Sequence, residues 1–235
     1  LMRLAPGAVV QEHVDFNYHW YSRVRIHVPI ITEPAVRFFC GADEVHMAAG
    51  EAWLFDSWRR HRVINGSADE RIHLVIDIAG SAAFWQMVRQ VQRSEVPMTP
   101  QVTAFEPDLK PKLITERFPF APIMAPGEMS AIVAELLDDC RANPANDPHM
   151  LNYYHDVLFD LVHDWRRQWS LYGLTPEGIA GYQGLLQRTR SALEENPRVL
   201  VTQSNGVGIN PIIVQRILGA ALQPRRAAEF VTGRS

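Results

Sequence analysis

The chain has 235 residues, 47% hydrophobic and 21% charged, the make-up of one large globular domain or of a domain with a sizeable appendage. A net charge of -3, with basic residues only in pairs such as Arg59-Arg60 and Arg166-Arg167, argues against a nucleic-acid partner. No apolar run is long enough to span a bilayer and no secretory signal opens the sequence, so neither a membrane nor export is expected. Cys40 and Cys140 do not make a disulfide framework, which points to a reducing cytoplasm. The opening Leu1-Met2-Arg3 is already strand-like, so the natural N-terminus is expected to be trimmed or disordered.

In chain order, the first elements are short strands: 2–10, 12–16, 23–31, 35–40, 44–47, 52–56, 62–65 and 71–78. Pro6-Gly7, Gly41, Gly50 and Asn65-Gly66 punctuate them. Such a series over residues 1–80 predicts a mainly β domain of jelly-roll or barrel type. Residues 81–235 then read as a connector and a C-terminal helical region. The pattern predicts a short helix over 84–92 and a proline-rich connector from Pro97 to Pro126, which is lid-like in length. A helix over 129–141 comes next. Asp147-Pro148 opens a long helix that Gly173 can end, Thr175-Pro176 opens another, and Asn210-Pro211 a last one through about Leu222.

The chemistry concentrates in the strand half. His13 and Asp15 stand two apart, which on a strand puts both side chains on one face. With His61 from a later strand they make a 2-His-1-carboxylate set, the ligand pattern of non-haem Fe(II) sites that keep positions open for a chelating cosubstrate and O2. Arg71, ten positions past His61, suits a cosubstrate with a second carboxylate such as 2-oxoglutarate, because a planar guanidinium makes paired charge-assisted hydrogen bonds. Two strands alternate polar and aliphatic residues: Arg23, Arg25 and His27 against Val24, Ile26 and Val28, then Arg71 and His73 against Ile72, Leu74 and Ile76. Either the polar face is solvated, as is usual, or it lines an interior that holds an anion.

These residues carry a resemblance. Leu4-Ala5-Pro6-Gly7, Glu12-His13-Val14-Asp15, Arg25-Ile26-His27, the run from Val45 to Trp53, His61 and the run from Arg71 to Asp77 resemble the aspartyl/asparaginyl β-hydroxylase family, with the nearest likeness to its bacterial proline 3-hydroxylases. The likeness covers residues 1–80. It implies a double-stranded β-helix, iron held by His13, Asp15 and His61, and Arg71 on the distal carboxylate of 2-oxoglutarate. It also implies Arg25 and His27 near the cosubstrate's iron-binding end. The animal peptidyl hydroxylase of this family has glycine in place of Asp15, so the full triad here points to a small amino-acid substrate rather than a peptide. His73 stands where many 2-oxoglutarate enzymes place a serine.

Other residues have two readings each. Phe16, Tyr18, His19, Trp20 and Tyr21 either wall a substrate pocket or pack the barrel mouth. Arg59 and Arg60 meet a substrate carboxylate or sit in a solvated loop; Arg37 makes a salt bridge or a ligand contact. Arg117 is a lid residue or a loop charge. His149, His155 and His163 lack ligand spacing, and Gly206-Val207-Gly208 lacks the third glycine and the βαβ setting of a nucleotide loop. The helical half either forms a homodimer or lids the barrel. The same strand pattern also suits a peptidyl or acyl-chain hydroxylase, or a cupin-like module that binds metal and an organic acid without turnover.

Overall fold

A computed structural model describes residues 1–93, 106–110, 115 and 121–223. The chain divides into two compact units, residues 1–78 with 121–235, and 79–120. The larger unit holds all eight strands together with the helices that follow residue 121. The connector, with Arg117, lies largely outside the described residues.

The strands of the larger unit are β1 (Met2–Leu4), β2 (Val9–His13), β3 (Val24–Ile31), β4 (Val36–Cys40), β5 (Asp43–Val45), β6 (Trp53–Leu54), β7 (His61–Asn65) and β8 (Arg71–Ile78). They form two four-stranded sheets of order β1-β8-β3-β6 and β2-β7-β4-β5. Every pairing is antiparallel. Among the described residues no ladder closes the two sheets into one barrel. The single strand expected over 2–10 is two strands in different sheets. Pro6-Gly7 turns the chain between them, with Gly7 at φ 70, where a side chain would be strained. Buried Asn65 fixes that corner, donating from its side chain to the carbonyls of Leu4, Ala5 and Asp69.

The alternation on β3 and β8 resolves in favour of a polar interior. His27, Arg71 and His73 are buried, while Leu74 and Ile76 on the opposite face are exposed. Between the sheets lies a small core of Val36, Phe38, Cys40, Met47 and Val63.

The helical region has the larger core. After α1 (Tyr18–Tyr21) and, in the smaller unit, α2 (Ala82–Gln92), it comprises α3 (Pro126–Ala142), α4 (Pro148–Tyr172), a 3-10 turn over Pro176–Gly178, α5 (Ile179–Ser191) and α6 (Ile209–Ile212). The last helix ends well before Leu222, because α6 runs into a π-helical turn, Ile213–Leu218. Asp147 caps α4 as its sequence predicts, accepting from the His149 N–H. Apolar residues at helical spacing, among them Ile132, Leu136, Leu158, Leu161 and Trp165, bury one face of each long helix. Each fully buried Leu or Ile there contributes roughly 1.5–3 kcal/mol. Phe16, Tyr18, Tyr21 and Trp58, from the strand half, pack against this core.

Candidate metal centre

His13 and His61 are direct partners across the β2–β7 ladder, so sheet register alone brings two imidazoles together, their ring centroids 4.2 Å apart. Asp15 arrives differently from the expectation. β2 ends at His13, after a register shift past Val10, and Asp15 lies beyond the strand. Its place is set by its backbone N–H, which donates to the Ser57 carbonyl at 3.0 Å. The carboxylate then lies 4.0 Å from His13 Nε2 and 3.8 Å from His61 Nε2.

Those separations exceed a hydrogen bond, and they suit three donors that each reach one ion at about 2.0–2.2 Å. The ring orientations fit as well. His13 Nδ1 donates to the Gln11 carbonyl at 2.7 Å and His61 Nδ1 to the Arg59 carbonyl at 2.9 Å, so the Nε2 lone pairs of both are left to face Asp15. A carbonyl behind each ring fixes the tautomer a metal ligand needs. Burial holds the His61 imidazole below its ordinary pKa and so in the neutral form that ligates. Among the described residues, His13, Asp15 and His61 are the group of metal-capable side chains whose donor atoms converge. His61 is buried while His13 is nearly half exposed, so the centre opens to solvent on the His13 side.

Deeper between the sheets lies a second cluster. Arg71 is buried, and no carboxylate pairs with it among the described residues; burial alone pushes its guanidinium down to about 10. One Nη lies 2.8 Å from His73 Nδ1. A guanidinium only donates, so His73 Nδ1 accepts and the ring proton sits on Nε2. Burial, reinforced by Arg71, pushes His73 down to about 3 and His27 to about 4, so both rings are neutral. Three polar atoms here have no hydrogen-bond partner among the described residues: Arg71 Nε, His73 Nε2 and Thr32 Oγ1. All three residues line one small cavity, with Val36, Phe38, Met47 and Val63 as its apolar walls. Buried donors without acceptors are expensive, and an anionic ligand would satisfy all three at once. Sequence reasoning missed Thr32, and no local signal marks it, since only the fold brings it to the cavity.

Arg25, expected near the metal-binding end of the cosubstrate, has a carboxylate partner. It forms a two-pronged ion pair with Asp77, its partner across the β3–β8 ladder, at 2.7 and 2.8 Å, and stacks 4.4 Å over Trp20. His19 joins the same carboxylate at 3.2 Å. His27 sits against Phe55 and 3.4 Å from His73 Nδ1, between the two clusters rather than among the triad. Arg37 pairs with Glu44 and Arg59 with Asp43. Arg60 donates to the Asn205 carbonyl. On α4, His155 and His163 flank exposed Phe159 and gather no ligand set.

Three solved structures give a sense of what the chain is similar to. One is TT1209 from Thermus thermophilus, 25% identical over 32% of this chain and 65% of that one, with a TM-score of 0.27. A Cupin 2 conserved barrel domain protein from Salinispora arenicola is 19% identical over 39% and 66%, with a TM-score of 0.26. Salicylate 1,2-dioxygenase from Pseudaminobacter salicylatoxidans is 15% identical over 62% and 43%, with a TM-score of 0.27. The chain spans under two thirds of the length of each. No curated protein matches it in sequence. Residues 1–80, which hold both the triad and the buried arginine cluster, match the family model described as Aspartyl/Asparaginyl beta-hydroxylase.

Proposed function

We propose that the protein is an Fe(II)- and 2-oxoglutarate-dependent dioxygenase that hydroxylates an unactivated carbon of a small substrate, a free or tethered amino acid. The observation that carries this reading is the pairing of two features in one strand domain. One is a His13-Asp15-His61 set at metal-sharing distances; the other is an arginine buried beside unpartnered donors and, among the described residues, without a counter-charge. The family match over residues 1–80 supports it. The strand order 1-8-3-6 facing 2-7-4-5 supports a double-stranded β-helix as the frame.

Bound Fe(II) and 2-oxoglutarate would supply the O2 chemistry that places one oxygen atom in the substrate's C–H bond and the other in succinate, with release of CO2. The chain's own part is binding and orientation. His13, Asp15 and His61 would hold the metal by one face and leave the remaining positions free. Arg71, with Thr32 and His73, would take the distal carboxylate in the cavity between the sheets. The half-exposed His13 side is the route by which substrate and O2 would arrive. The presence of Asp15 supports a small substrate over a peptide, and it leaves no ligand vacancy for a halide.

The test is an anaerobic titration of Fe(II)-loaded protein with 2-oxoglutarate, read by the visible metal-to-ligand charge-transfer band. The band should appear in the wild type and be absent in His13→Ala. If intact, metal-loaded protein gives no band, the oxygenase reading fails and a cupin-like binding module takes its place.

A further inference from the structure

The helical region grips both segments that carry the metal ligands, and Arg216 is where the grip converges. Arg216 lies on the π-helical turn after α6. Its Nε donates at 2.9 Å to the carbonyl of Phe16, the residue immediately after Asp15. The same guanidinium stacks 4.2 Å over the Trp58 ring and lies 5.6 Å from the Tyr21 ring. Trp58 adjoins Ser57, whose carbonyl receives the Asp15 N–H. One side chain therefore ties together the two stretches of backbone that set Asp15.

Residues 204–205 hold the rest of that loop. The Trp58 indole N–H donates to Ser204 Oγ at 2.6 Å, and the Asn205 side chain donates to the Trp58 carbonyl at 3.0 Å. Arg60 Nε donates to the Asn205 carbonyl at 2.7 Å, and between them Arg59 presents the carbonyl that orients His61. The loop from Ser57 to Arg60 thus serves both Asp15 and His61, and the helical region fixes it from behind.

We propose that Arg216 is a positioning residue of the metal centre: by joining the Phe16 carbonyl to the Trp58 ring it holds Asp15 at metal-sharing distance from His61. This rests on the triad being a metal site but not on the identity of the cosubstrate. A planar guanidinium can stack on an indole by its face while donating in its own plane, which neither methionine nor lysine can do. A π-turn costs helix stability and occurs often at functional sites, where it re-aims a side chain.

The test uses the full chain with Co(II) as probe, under anaerobic conditions. Arg216→Met and Arg216→Lys are titrated beside Leu158→Ala, which loosens the helical core without touching the loop. Affinity per folded molecule and the Co(II) ligand-field spectrum are read. Arg216→Met should bind Co(II) about 10- to 100-fold more weakly, with an altered spectrum. Arg216→Lys should move both readouts in the same direction by less. Leu158→Ala should melt lower and bind as the wild type does. Wild-type affinity and spectrum in the Arg216 variants would overturn the proposal, as would an equal loss in Leu158→Ala. If Arg216→Met does not fold, Arg216→Lys decides by the same criteria. A wild type that binds no Co(II) would instead remove the metal site itself, and with it the reading above.

Discussion

Arg71 is buried with no carboxylate to meet it among the described residues, and an unpaired interior cation costs several kcal/mol. A fold that carries such a group for a ligand should become more stable when the group is removed. Arg71→Met is therefore expected to stabilise the ligand-free protein by about 1–4 kcal/mol, and so to raise its melting temperature, while abolishing stabilisation by 2-oxoglutarate. A melt with and without the cosubstrate checks both; a destabilised variant that still responds to 2-oxoglutarate would remove the assigned role. His73 and His27 make a second prediction. Their folded pKa values, about 3 and about 4, lie below the ordinary 6.5, so the unfolded chain takes up protons first as pH falls. The stability they contribute is complete well above pH 6.5 and is lost as pH drops through 6.5, towards about 4 for His27 and about 3 for His73. At pH 5 each ring costs roughly 2 kcal/mol. In metal-free protein, His73→Asn, which keeps an acceptor for Arg71, should flatten the fall measured between pH 7 and pH 5. The convergence of His13, Asp15 and His61 was legible because residue type and spacing carry metal chemistry. The tautomer of His73, the unpartnered hydroxyl of Thr32 and the pairing of Arg25 with Asp77 were not, since each depends on which strands become neighbours.

At the scale of elements, strands and helix ends were the most readable. Alternation placed β3 and β8 closely, and Asp147-Pro148 and Gly173 marked both ends of α4, because caps act through local backbone groups. Departures arose where long-range contacts override local pattern. β2 stops at His13 because Asp15 spends its N–H on Ser57 instead of on a ladder. The π-turn has no local signature at all. Gly208 belongs to the same class. It bridges to Val201, and a Cβ there would meet the Pro197 carbonyl oxygen at 2.2 Å, a backbone atom that cannot swing aside. Gly208→Ala should cost about 1–3 kcal/mol, measured by denaturant unfolding. An unchanged midpoint would show that the segment holding Ser204 and Asn205 is more pliable than its contacts indicate.

At the scale of the whole chain, the strand half and the helical region of the larger unit are joined by Trp58 to Ser204, Arg60 to Asn205, Arg216 to Phe16 and Tyr18 to Glu128. Aromatic side chains of the strand half also pack on the helical core. His13, Asp15 and His61 all lie in one half and the bulk of the buried apolar surface in the other, so coupling between the halves decides whether binding at the candidate centre is felt throughout. A ligand at about 100 times its Kd adds about 2.7 kcal/mol to the folded state. For a unit of this size that corresponds to a rise of about 5–10 °C in melting midpoint, provided the unit unfolds cooperatively. With Co(II) bound, loss of the ligand-field band reports the strand half, and far-UV circular dichroism is dominated by the helices. The two midpoints should coincide and should rise together as Co(II) is added. If the Co(II) band is lost several degrees below the helical signal, the contacts between the halves do not couple them, and the metal centre stands on the strands alone.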